Sequence, residues 1–215
     1  MRASGSFKYA SMSRRAAVTG AALAAMTMLA ACSGGAGGNA AAEGDMALGA
    51  PEGAKVTVVE YASVTCSHCA VWQEQVYPEF KAKYVDTNKV RYVFREFPTA
   101  PEAVAVAGFL TARCAGPDKY FPVIHEIMAS QRELFSGTPP RTILLRIANG
   151  AGLSEQQFQD CVTDADAIKA MDARIKSALD AGVTGTPYFM VNGEHVADSS
   201  IAGLSTAIDA ALAAK

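Results

Sequence analysis

Short runs rich in β-branched and aromatic residues punctuate the chain, separated by stretches in which apolar residues recur every three or four positions. Residues 55–61 (KVTVVEY) and 90–97 (VRYVFREF) predict strands, the second closed by Pro98. Between them, residues 66–84 predict a helix kinked at Pro78, because proline lacks an N–H and crowds the preceding turn. Strand, helix and strand in this order predict a parallel pair joined by a crossover.

Residues 100–181 read as largely helical. Pro101 suits a first helical position. Phe121, Ile124, Ile127 and Met128 lie at helical spacing within 118–131, a further helix over 141–149 ends at Gly150, and Ser154-Glu155-Gln156-Gln157 fits a capping box. Residues 164–180 put Ile168, Met171, Ile175 and Leu179 on one face and stop at Gly182. These apolar stripes are core positions. Strand character returns at 187–191 (PYFMV), followed by an Asn192-Gly193 hairpin turn, a return strand at 194–196 and an Ala-rich helix over 203–214. The expected order is β-α-β, a helical insert, then α-β-β-α.

The N-terminus has a different character. Residues 1–31 carry Arg2, Lys8, Arg14 and Arg15 and no acid, and the run 16–31 is Ala-rich and interrupted by Thr19, Gly20 and Thr27. A membrane span needs about 20 strongly apolar residues. This run is shorter and weaker, and suits the apolar region of a bacterial export signal. Leu29-Ala30-Ala31-Cys32 resembles a lipobox, which implies cleavage before Cys32 and membrane attachment through a lipid on that residue; a plain signal cut after Ala42 is the alternative. Ser13-Arg14-Arg15 resembles a twin-arginine signal, with an ordinary basic leader as the alternative. Residues 33–50 are mostly Gly and Ala and read as part of a flexible tether. The implied location is the periplasm or cell envelope, where disulfides persist.

Composition narrows the partners. The 215-residue chain is 50% apolar and 19% charged, too balanced for a fibre or a disordered tail. Residues 1–31 hold four of its 19 basic residues and none of its 21 acidic ones, so the remainder is formally −6. A mildly acidic chain with no clustered basic face argues against a nucleic-acid partner.

Of the five cysteines, Cys32 leaves thiol chemistry by lipidation or by cleavage. The remaining four allow three connectivities. Cys66 and Cys69 lie within one helical turn and bond most easily to each other. That leaves Cys114 with Cys161, a structural bridge closing a loop of 48 residues. In the chain-entropy view such a loop is worth roughly 4 kcal/mol. The alternative is that Cys114 and Cys161 are small buried apolar residues.

Cys66-Ser67-His68-Cys69 soon after the first strand, Glu60 six residues before it, and Thr186-Pro187 just before the third strand occur in one order and context. Together they resemble the thioredoxin superfamily over residues 52–215, and the helical insert resembles its DsbA-like branch. The resemblance implies an α/β thioredoxin fold with an inserted α-helical domain. The signal would occupy 1–31, the tether 32–51, the first half of the fold 52–99, the insertion 100–170 and the second half 171–215. It also implies a redox-active Cys66–Cys69 pair, a cis Pro187 packed against the disulfide, and a buried acid, Glu60, that moves protons to and from the inner thiol.

The residues support the same chemistry independently. Cys66 at a helix N-terminus meets a partial positive charge and unpaired N–H groups that favour a thiolate. His68, when protonated, adds to this. A stabilised thiolate stabilises the reduced form and makes the disulfide more oxidising. Cys69, one turn inward, is the resolving thiol. Glu60 shares a face with Val56 and Val58 on a strand covered on both sides, where an unpaired carboxylate is costly. Lys55 falls on the opposite face, so any partner of Glu60 must come from elsewhere; a satisfied ion pair is the structural alternative. Proline at 187 removes an N–H donor and leaves neighbouring backbone free for an incoming peptide. His125 and His195 read as structural or solvated, and Trp72 as core or as a substrate surface.

The leading reading is an extracytoplasmic dithiol oxidase acting as a monomer on exported protein thiols and reoxidised by a membrane partner, with no cofactor and no metal. A reductase or isomerase is the second, because strong family oxidases carry Pro at the first variable position and often Val before the cis proline, where this chain has Ser67 and Thr186. A metal module on Cys66, His68 and Cys69 is the third, with three ligands in one turn making a poor tetrahedral site. Covalent haem is excluded, since C-x-x-C-H needs His where Ala70 stands.

Overall fold

Strand alternation sorts the side chains of the central sheet into two cores. The computed structural model describes residues 41–214. The expected export signal, Cys32 and the first part of the expected tether lie outside the described residues. Five strands, β1 (Met46–Gly49), β2 (Thr57–Ala62), β3 (Arg91–Glu96), β4 (Tyr188–Val191) and β5 (Glu194–Val196), form one sheet in the order β1-β3-β2-β4-β5. β2 runs parallel to β3, with Val58 opposite Tyr92 and Glu60 opposite Phe94. β4 runs antiparallel to β2 on its other side, with Glu60 opposite Phe189. Val58, Tyr92, Phe94, Phe189 and Val191 face the large core, whereas Val59, Tyr61, Val93 and Met190 meet Ala178 and Val183 on the other side.

The crossover from β2 to β3 begins with α1 (Ser67–Gln75), followed by α2 (Tyr77–Phe80) and a π-helical turn over Lys81–Val85. The single kinked helix expected over 66–84 is therefore interrupted at Val76. Pro78 has no N–H to give the Glu74 carbonyl, so the ladder fails just ahead of it. Trp72 donates its indole N–H to the Ser199 carbonyl at 2.8 Å and packs against Tyr77, Phe80 and Phe189, a core role.

The insertion comprises α3 (Glu102–Cys114), α4 (Pro117–Ala129), the single turn α5 (Gln131–Leu134), α6 (Pro140–Gly150) and α7 (Glu155–Val162). The expected capping box closes: Ser154 Oγ accepts from the Gln157 amide, and the Gln157 side chain accepts from the Ser154 amide. Pro101 caps α3 rather than opening it, after a cis Ala100–Pro101 bond.

Three expectations need correction. The boundary at 170/171 falls inside α8 (Ala165–Asp180), one unbroken helix capped by Asp164, so the second half of the fold begins with that helix. On α8 the buried residue near the C-terminal end is Ala178, which packs with Val59, Tyr61, Val93, Val183 and Met190, while Leu179 is 56% exposed. Residues 46–49, expected within the tether, form β1 at the edge of the sheet, antiparallel to β3. Their weak apolar character is offset by the β3 ladder and by Asp45, which receives two hydrogen bonds from Arg95 at 2.9 and 2.8 Å.

Behind β4 and β5, joined at Asn192-Gly193 with φ of 50° and 86°, α9 (Ile201–Ala213) completes the order. Cys114 and Cys161 are disulfide-bonded, tying α3 to α7 with their Cα atoms 6.2 Å apart. Replacing both by alanine is expected to lower stability by roughly 4 kcal/mol, measured by denaturant unfolding. Thiol exchange at Cys66 in the folded variant should persist.

Candidate active site

Cys66 is the N-cap of α1. Its φ and ψ of −83° and 118° are those of a cap residue, and its sulfur accepts the Cys69 amide at 3.2 Å. A sulfur atom thus occupies the place that a Ser or Asp oxygen fills at most helix starts. The His68 amide and the Cys69 thiol also act on it and favour its charged form. From the other side, the Cys66 thiol lies 3.5 Å from the Thr186 carbonyl, which accepts from it. The Thr186–Pro187 bond is cis.

These contacts separate the two thiols. Hydrogen bonds, led by that from Cys69, outweigh burial and hold Cys66 down to about 6, against an ordinary 9.0. Burial, the neighbouring Cys66 sulfur and the nearby Glu60 carboxylate push Cys69 strongly upward. Cys69 is wholly buried, whereas Cys66 keeps 9% of its surface at the rim, next to exposed Ser67 and His68. The arrangement yields one outer nucleophile and one inner thiol that holds its proton. His68 contributes through its main-chain amide. Its exposed ring makes no hydrogen bond or ion pair among the described residues.

Glu60 projects from the middle of β2 into the large core and is 1% exposed. Its carboxyl accepts a hydrogen bond from the Tyr92 hydroxyl of β3. Among the described residues it has no ion-pair partner. Desolvation pushes it up to about 8, with the Tyr92 bond opposing and the Cys66 charge adding. A carboxyl in this state is mostly protonated at neutral pH and close to changing charge.

The site thus gathers Cys66, Cys69, Thr186 and Pro187, with Glu60 behind the inner thiol. His125 lies half-buried on α4 against Tyr77 and Phe121, pushed down to about 4 by burial. His195 stacks on Tyr188, ring centroids 4.1 Å apart. Among the described residues, no three His, Cys, Asp or Glu side chains gather in a metal-ligating group.

Two supporting residues escape a reading of the sequence. Tyr92 was within reach: it faces the same core as Glu60 on a parallel neighbour, so alternation along both strands could have paired them. Gln131 has no local signal. Its side-chain amide donates to the Val64 carbonyl at 2.8 Å and to the Cys66 carbonyl at 3.0 Å, a contact spanning 65 residues in the second case.

Comparison with known proteins agrees with this architecture. A family profile described as thioredoxin matches residues 41–210. A relative from Rickettsia bellii, provisionally named a protein-disulfide oxidoreductase, is 36% identical over 172 residues, covering 79% of this chain and 65% of the relative. Its Rickettsia conorii counterpart is also 36% identical, with 79% and 61% covered. The chain therefore spans slightly under two thirds of the length of these relatives. Among solved structures, Wolbachia pipientis alpha-DsbA1 matches with a TM-score of 0.70 at 25% identity, over 80% of this chain and 92% of that one. A thioredoxin-like oxidoreductase from Silicibacter pomeroyi matches with a TM-score of 0.65 at 28% identity, over 80% and 94%. With the sheet order, the cis proline, the helical insertion and the profile match in agreement, the chain belongs to the thioredoxin family and is built on its DsbA-like plan.

Proposed function

We propose that the protein is a thiol–disulfide oxidoreductase that donates a Cys66–Cys69 disulfide to exported proteins. The observation that carries this reading is the Cys66 sulfur serving as the cap of α1, which favours its thiolate and so the reduced enzyme. The chemistry balances without a cofactor. A client thiolate attacks Cys66 Sγ, the Cys66–Cys69 bond breaks, and Cys69 leaves as a thiolate that takes the Glu60 proton. A second client thiolate then attacks the client sulfur of the mixed disulfide and expels Cys66 as a capped thiolate. The client loses two electrons and two protons: the enzyme disulfide gains the electrons, one proton replaces the one Glu60 gave to Cys69, and the other is released to water while Cys66 remains a thiolate.

Pro187 and the Thr186 backbone lie beside the reacting sulfur and would receive an extended client segment there. The proposed setting is the periplasm or cell envelope, with the chain anchored through a lipid on Cys32 and a membrane oxidant regenerating the disulfide. No helix among the described residues is long and apolar enough to cross a membrane.

A reductase or isomerase of opposite poise is the second reading, because Ser67 and Thr186 stand where the family resemblance implies Pro and often Val in a strong oxidase. Incubating the oxidised protein with a reduced, unfolded substrate that has several native disulfides separates the two. The proposed reading expects rapid stoichiometric transfer of one disulfide per enzyme. Absence of transfer from the oxidised enzyme, with reduction of a preformed substrate disulfide by the reduced enzyme, would reverse the assignment.

A further inference from the structure

We infer that Gln131, reaching in from the helical insertion, is a positioning residue for the redox thiol: its amide holds the Val64 and Cys66 carbonyls so that the Cys66 sulfur stays seated over the first amides of α1. The inference rests on the proposed role of Cys66. Gln131 stands at the start of the one-turn helix α5 and is 6% exposed. A primary amide carries two N–H donors. Here the nitrogen reaches two carbonyls, at 2.8 and 3.0 Å, on alternate residues of the turn that leads into the helix.

The choice of the Cys66 carbonyl matters. That oxygen already accepts the Ala70 amide at 3.1 Å, the first bond of α1, so a second donor is not needed to satisfy it. What the second bond adds is direction. The Cys66 carbonyl belongs to the peptide plane joining Cys66 to Ser67. Rotation of that plane about the Cys66 ψ swings the amides of Ser67, His68 and Cys69 relative to the sulfur. Pinning the oxygen fixes the donors on which the thiolate depends, including the Cys69 amide at 3.2 Å.

The opposite side of the same turn is pinned as well. Ser63 Oγ lies 3.0 Å from Thr65 Oγ1 and accepts the Thr99 amide at 3.1 Å, while Thr65 Oγ1 donates to the Thr99 carbonyl at 2.9 Å. Residues 63–66 are thus held between the segment that leads into the insertion and the insertion itself. This gives the inserted helices a route to the reactivity of Cys66 without touching its sulfur.

The test compares the mature chain with Gln131→Met, which keeps length and loses both donors, and Gln131→Glu, which keeps shape and can only accept when ionised. The ultraviolet titration of the Cys66 thiolate and the equilibrium with glutathione are read in each, alongside the melting temperature. Positioning predicts a thiolate midpoint raised by about one unit and an equilibrium about fivefold less oxidising at pH 7 in Gln131→Met. A larger shift is expected in Gln131→Glu, where a carboxylate also opposes the thiolate. Variants that melt earlier yet keep both the midpoint and the equilibrium would show a structural amide and overturn the inference. Should Gln131→Met fail to fold, the near-isosteric Gln131→Glu carries the same decision. An ordinary thiol midpoint in the unaltered protein would instead remove the proposed function, so the two failures are distinguishable.

Discussion

Cys66→Ala is expected to abolish catalysed disulfide transfer, leaving only the uncatalysed background, while Cys69→Ala, which has no Cys66–Cys69 disulfide to donate, is expected to retain only attack of the Cys66 thiolate on a client disulfide and to stall there. The asymmetry follows from the geometry. Cys66 is the sulfur at the rim and the one held as a thiolate, whereas Cys69 is wholly buried and holds its proton. In the reverse direction of the exchange, where the Cys66 thiolate attacks a client disulfide, Cys69 is the internal resolving thiol, so without it client proteins accumulate in covalent complexes. Non-reducing electrophoresis after acid quenching reads both outcomes. The account expects no complexes with Cys66→Ala and abundant reducible complexes with Cys69→Ala. The reverse pattern would exchange the roles of the two thiols.

Glu60→Gln produces the second large effect, with opposite signs on rate and stability. The Glu60 carboxyl titrates near 8 in the folded protein against 4.5 ordinarily. Between those values the native state holds a proton that the unfolded chain releases, so stability declines as pH rises through the window. Glutamine removes that slope. The variant is expected to gain about 3 kcal/mol over the unaltered protein at pH 7, and nothing below about pH 4. Denaturant unfolding at several pH values measures the difference. Disulfide transfer should meanwhile slow roughly 10²-fold, because glutamine cannot give Cys69 its proton as that sulfur leaves. A pH-independent stability difference would contradict a carboxyl raised by burial with only the Tyr92 hydrogen bond to oppose it, and an unchanged rate would remove it from the proton path.

How far the chain announces this arrangement varies by residue. The CSHC turn, the Thr186-Pro187 pair and the buried Glu60 are legible because each depends on short-range pattern: a spacing of three, a proline before a strand, a charge on an apolar face. The hairpin at Asn192-Gly193 is legible for the same reason, both residues taking positive φ. β1 is not, since Met46-Ala47-Leu48-Gly49 has little strand character of its own and is ordered by pairing with β3 and by the Asp45–Arg95 bonds. The break at Val76 precedes the proline that causes it, which is visible only once the ladder is drawn. Gln131 is silent locally because its partners lie in a turn on another part of the fold.

The expected redox poise follows from the same sulfur. With a midpoint near 6, Cys66 is about nine-tenths thiolate at pH 7. Relative to an ordinary thiol this stabilises the reduced form about tenfold, or ~30 mV on a two-electron couple. Against thioredoxin, whose nucleophilic cysteine titrates at about 7, the stabilisation is about fivefold, which puts the expected couple roughly 20 mV above the thioredoxin value of about −270 mV. Equilibrating the Cys66–Cys69 couple with defined glutathione mixtures at pH 7 measures this directly. A potential above the thioredoxin value supports a capped thiolate driving disulfide donation. A potential at or below it would contradict that account and make the protein a reductant.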